Sequence, residues 1–177
     1  VMNTWGNKLN SIVIAISIGL TTSLVPNITS SYVAKKYSDV KKKINQSLQI
    51  LILVALPITI GLSILATPVF NAFYGENIWG PTVFKYSVFI AIATCLFNTT
   101  IIILQSLNKY KTVFISIISG IVIKYILNVP LMILTHNLGF QGFYGAITAT
   151  LIGIAISVFI NLYVLHKDEE LKVNYKP

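Results

Sequence analysis

The sequence predicts an all-α fold, an integral membrane helix bundle, and three observations predict it. Of the 177 residues, 55% are hydrophobic and only 10% are charged, far below the roughly one quarter charged that a water-facing domain carries. Mean hydropathy is +0.78. The apolar residues also fall in long blocks, each near the roughly 20 residues that cross a bilayer as a helix. Blocks of this length exceed the strands of a membrane barrel and lack their alternation. In lipid the backbone must satisfy its own hydrogen bonds, so such blocks become helices. This composition excludes a disordered chain, a nucleic-acid-binding domain and a secreted disulfide scaffold, and it argues against a soluble enzyme. The lone Cys95 lies inside an apolar block.

Five spans are expected, at about 9–28, 44–74, 82–107, 113–134 and 145–165. The first, span A, carries Ser11, Ala15, Ile18 and Thr22 at helical spacing, and Pro26 falls near its end. Span B contains Pro57 with Gly61 one turn on, a pattern that predicts a kink, and Pro68 lies near its end. Span C places Thr94, Asn98 and Gln105 on one face. Span D carries Ser116, Gly120, Lys124 and Asn128 four residues apart, with Pro130 in its outer part. Span E carries Gly145, Ala149, Gly153, Ser157 and Asn161 at the same spacing, a row of small residues suited to close helix packing. Residues 167–177 read as a polar tail. Residue 1 is Val, and no signal peptide is apparent before span A, so the expectation is a piece of a longer membrane protein.

The lysines predict the orientation. There are 13 Lys, no Arg and 5 acids, for a net charge of +8. Lys35, Lys36, Lys41, Lys42 and Lys43 lie between A and B, Lys109 and Lys111 between C and D, and Lys167, Lys172 and Lys176 after E. The loops B–C and D–E have none. By the positive-inside rule the lysine-rich side is cytoplasmic. Lys8 and Lys85 lie near the outer ends of A and C, where a headgroup-level anchor is the plainer reading of Lys85.

Lys124 stands apart, about ten residues from either end of span D and so near the bilayer midplane. A Lys there costs roughly 2.5–3.5 kcal/mol on the insertion scale. It is expected to face water, an anion or a hydrogen-bonding cluster with Asn128. The five acids, Asp39, Glu76, Asp168, Glu169 and Glu170, all fall outside the expected spans, as do His136 and His166. No metal-ligand spacing, nucleophile–base pair or phosphate-cradling glycine loop is apparent, so neither a cofactor nor a chemical enzyme is expected.

Several segments in order resemble a known family. They are Trp5-Gly-Asn-Lys-Leu9 leading into span A and Thr21-Thr-Ser-Leu-Val-Pro-Asn-Ile-Thr29 at its exit, Lys42-Lys-Ile-Asn-Gln-Ser-Leu48, Leu56-Pro-Ile-Thr-Ile-Gly-Leu62, Pro68-Val-Phe-Asn-Ala-Phe-Tyr-Gly75, Ile103-Leu-Gln-Ser-Leu-Asn-Lys109, and Gly142-Phe-Tyr-Gly-Ala-Ile-Thr-Ala-Thr150. Together they resemble the bacterial lipid-linked-oligosaccharide flippases, comprising the MurJ-like, stage V sporulation protein B-like and O-antigen-type branches. These belong to the multidrug/oligosaccharidyl-lipid/polysaccharide exporter superfamily. The resemblance implies a multi-pass protein of the bacterial cytoplasmic membrane with about fourteen helices in two lobes. Residues 1–166 would form most of the second lobe, with spans A to E as helices 8 to 12 and a missing amino-terminal lobe as partner. It implies alternating access for an anionic lipid-linked glycan such as lipid II, and cations in a central cavity. Candidate cavity residues are then Lys124, Asn128, Lys8 and Asn98, with Lys8 nearest the place of a cavity arginine in the MurJ-like branch. A cation-coupled multidrug exporter of the same superfamily and a non-transporting membrane scaffold are the alternative readings.

Overall fold

The computed structural model describes residues 25–76 and 78–168, preceded by residues 11, 14, 15, 18, 19 and 22. Among the described residues the helices are α1 (Val25–Val33), α2 (Tyr37–Ile64), α3 (Ala66–Tyr74), α4 (Gly80–Ser106), α5 (Tyr110–Asn137) and α6 (Gly142–Lys167). Four of them, α2, α4, α5 and α6, are long and apolar enough to cross a membrane. Spans C, D and E are each realised as one helix, longer at most ends than the apolar block that signalled it. Half of span A lies outside the described residues. Its carboxyl end continues helical past Ile28 to Val33.

Span B is a correction. It is two helices, and the interruption falls at Leu65. Pro68 occupies the first turn of α3, where a missing N–H costs nothing because no partner exists for it there. Continued in α2, the same proline would leave the Ile64 carbonyl unpaired. Pro57, by contrast, lies within the continuous helix α2. Its side chain is exposed, as are those of Leu53, Leu56 and Ile60, so it sits on an outward face.

Helix α4 is central. It packs against α2 and α3 on one side and α6 on the other, while α5 lies almost wholly along α6. Three apolar clusters fill the interior. At the lysine-rich end Ile28, Val40, Ile44, Ile103, Leu104 and Leu165 converge. Leu51, Ala91 and Cys95 pack at mid-depth, and Ala66, Phe70, Phe84 and Val88 at the other end. Phe70 fits because residue 80 is glycine: a β-carbon there would lie 2.3 Å from its ring.

The α5–α6 seam is a contact of backbones. Gly145, Ala149, Gly153 and Ser157 are all buried along α6, and Ser116 and Gly120 are buried along α5. A β-carbon on Gly145 would lie 2.4 Å from the Leu131 carbonyl oxygen, and one on Gly153 would lie 2.8 Å from that of Gly120. Small residues let the two helices approach this closely, and without a hydrophobic driving force in lipid that dispersion contact holds them. Ser157 Oγ adds an interhelical hydrogen bond to the Ser116 carbonyl at 2.8 Å. Asn161, the next member of the row, is fully buried and donates through Nδ2 to Thr100 Oγ1 of α4 at 3.0 Å. Small-residue packing is therefore the role of the span E row.

Polar ties close the lysine-rich end. Lys43 Nζ donates to the Asn27 carbonyl at 2.8 Å and to Ser31 Oγ at 2.7 Å, holding α1 to α2. Lys109 at the start of α5 pairs with Asp168 just past α6, 2.5 Å from its carboxylate, which is 5% exposed. The turn before Lys109 passes through Asn108 at φ 57, a conformation that asparagine tolerates.

Gly153→Val should force α5 and α6 apart, at a cost of about 1–3 kcal/mol. Gly61→Ala, where no neighbour lies within 4 Å of the new β-carbon, should be tolerated. Thermal unfolding of the two variants in detergent checks this contrast.

Candidate functional site

Because α4 and α5 both lie on α6 and touch each other little, a groove remains between them. Its floor is Thr150, Gly153, Ile154 and Ser157 of α6, and its walls are Phe97 of α4 and Ile117, Gly120, Ile121 and Lys124 of α5. The cleft has a volume of about 220 Å³. Lys124 lies roughly 20 Å along α5 from either end, by the helical rise of about 1.5 Å per residue.

The polar row of span D divides between two roles. Ser116 and Gly120 are buried in the seam with α6. Lys124, four residues on, is exposed at the groove's edge, and its Cβ lies 3.1 Å from where a β-carbon on Gly153 would stand. The glycine thus leaves room for the base of the lysine side chain against α6, and Lys124 lines the groove.

The hydroxyls around this groove are already satisfied. Ser157 Oγ bonds the Ser116 and Gly153 carbonyls, and Thr150 Oγ1 bonds the Ala146 carbonyl at 2.9 Å. Such back-bonding within a helix uses up the hydroxyl donor. The Lys124 ammonium has no hydrogen bond or ion pair to any described residue, which leaves it as the groove's available donor.

The other expected site residues are distributed as follows. Asn128 is one turn beyond Lys124 on the same flank and half-buried, but it neither lines the groove nor bonds Lys124. Asn98 is half-buried on α4, next to Phe97, and also stands outside the lining. Its row-mate Thr94 bonds its own helix at the Ile90 carbonyl, 2.7 Å away. Gln105 lines a separate cleft near the lysine-rich end, with Thr22 and Thr29. Lys8 lies outside the described residues. Lys85 is exposed, with its ammonium 6.0 Å from the Tyr86 ring centre, in keeping with an interfacial anchor. Phe97 and Thr150 line the groove although no polar or small-residue row marked them.

Chemically, the groove offers one cation against an apolar wall at mid-depth. A charge in such surroundings interacts with an anion more strongly than it would in water. It can bind and guide an anionic group. Among the described residues no three His, Cys, Asp or Glu side chains group to hold a metal ion.

Comparison with known proteins agrees with this architecture. The sequence model of the family described as MatE matches residues 4–130. The chain is 29% identical over 171 residues to a protein of Bacillus subtilis (strain 168) named lipid II flippase MurJ. That alignment covers 94% of this chain and 30% of the relative, so the chain spans about a third of the length of the curated relative it matches. No solved structure matches.

In the intact protein with Cys95→Ala, Lys124→Cys should react with a water-soluble thiol reagent. Ile126→Cys, on the outward face of α5 at 61% exposure, should stay unreactive because it faces acyl chains. Mass spectrometry of the labelled protein in native membranes measures both rates.

Proposed function

The chain belongs to the MatE family, and on that premise we propose that the protein containing it is a flippase of the bacterial cytoplasmic membrane. Its substrate on this reading is a lipid-linked anionic glycan precursor, of which lipid II is the named example in the relative from Bacillus subtilis. Residues 1–166 serve as most of one lobe, and an amino-terminal lobe completes the passage by facing the groove. Translocation proceeds by alternating access: the headgroup crosses between the lobes while its isoprenoid-type tail remains in lipid.

The observation that carries this reading is the placement of Lys124. An ammonium set at mid-depth costs roughly 2.5–3.5 kcal/mol against an apolar residue. That cost is offset when a pyrophosphate passes beside it, since the pair attract across a low-dielectric wall. Lysine suits transit better than arginine here. Its ammonium grips as a point charge, without the bidentate fork that would hold a phosphate in one pose.

In the full-length protein, Lys124→Ala should slow translocation of a pyrophosphate-linked lipid about tenfold, the loss of one charge-assisted contact of about 1.5 kcal/mol. Membrane abundance should be unchanged, and Lys124→Arg should retain more activity than Lys124→Ala. Flipping of a fluorescent lipid-linked substrate in reconstituted vesicles measures this. Full activity of Lys124→Ala at equal abundance would remove Lys124 from the pathway.

A further inference from the structure

A second groove lies between α2 and α6 at the lysine-rich end, with a volume of about 380 Å³. It shares no residue with the groove that holds Lys124. Its chemistry is graded along its length. Lys41, Asn45 and His166 gather at the mouth, and Leu48, Leu162 and Leu165 run inward from them.

Depth fixes what this gradient meets. Helix α2 has 28 residues and is therefore about 42 Å long, some 12 Å more than the hydrocarbon core. Its first two turns, with Lys41, stand at headgroup level, and Leu48 stands where acyl chains begin. Helix α6 ends beside it in the opposite direction, with Leu162 below His166. One helical turn further along, Ile52 of α2 is 44% exposed, and Leu162 in the groove wall is 39% exposed.

We propose that this groove binds an anionic phospholipid of the lysine-rich leaflet. The lipid phosphate sits among Lys41, Asn45 and His166, and one acyl chain lies along Leu48 and Leu162. Charge selects the occupant. Lys35, Lys36, Lys41, Lys42 and Lys43 crowd this end of α2 with Asp39 alone to balance them in that stretch. The amino terminus of α2 adds its own partial positive charge, and its capping residue Lys36 supplies no side-chain hydrogen bond. Basic pockets between membrane helices on the cytoplasmic side are suited to acidic headgroups. Zwitterionic lipid gains less from the same groove, because its own ammonium opposes the lysines.

The test uses the full-length protein in vesicles with every native tryptophan replaced by phenylalanine and a reporter introduced as Leu162→Trp. Quenching by brominated phosphatidylglycerol is compared with quenching by brominated phosphatidylcholine. The expected result is a preference of about fivefold for phosphatidylglycerol, reduced to near parity by Lys41→Gln with His166→Gln. A second reporter, Leu53→Trp on an open face of α2 at 75% exposure, should show no preference. Three results would overturn the proposal. One is equal quenching by both lipids at position 162. Another is absence of quenching by either, which would mean protein covers the groove. The third is an equal preference at position 53, which would mean general surface attraction. Retained monodisperse elution of each variant keeps the comparison free of misfolding.

Discussion

The structure depends on one constraint: in hydrocarbon, each backbone and hydroxyl group must find its partner within the protein. The long helices satisfy their own backbones, and the serines and threonines bend back to carbonyls three or four residues earlier, as Thr59, Thr99 and Ser106 do. That leaves little polar material to hold helices together, so contact must come from close approach. The glycine-lined seam between α5 and α6 is the result. It brings backbones near enough for Ser157 to reach across to α5. The same closeness draws α5 away from α4 and opens the groove in which Lys124 stands. Packing and site are thus two effects of one row of small residues.

Much of this was legible in the residues. Apolar length alone located α4, α5 and α6 to within about three residues, because nothing but helix satisfies such a block in lipid. The small row of span E announced its packing role through spacing. Lys124 announced itself through cost, since a charge so deep needs a reason. The break at Leu65 was also encoded, in Pro68, but span length concealed it: an apolar run of that size reads as one helix until hydrogen-bond partners are assigned residue by residue.

Other features depend on pairs far apart in sequence, and periodicity carries no information about those. The row Ser116, Gly120, Lys124, Asn128 looked like a single polar stripe. In three dimensions the seam with α6 covers its first half, and only its continuation reaches the groove. Asn161 pairs with Thr100, 61 residues away, and nothing local marks that choice. Asn98 belonged to the polar row of span C and was a cavity candidate, yet Phe97 beside it takes the groove wall. Rotation of a helix about its axis, by as little as one residue, decides such matters, and it is set by the neighbour.

The ion pair of Lys109 and Asp168 has a mechanical consequence. It fastens the turn between α4 and α5 to the foot of α6, so the three legs are joined at their base as well as along their length. Parting α5 from α6 at that end therefore requires breaking this pair as well as opening the glycine seam.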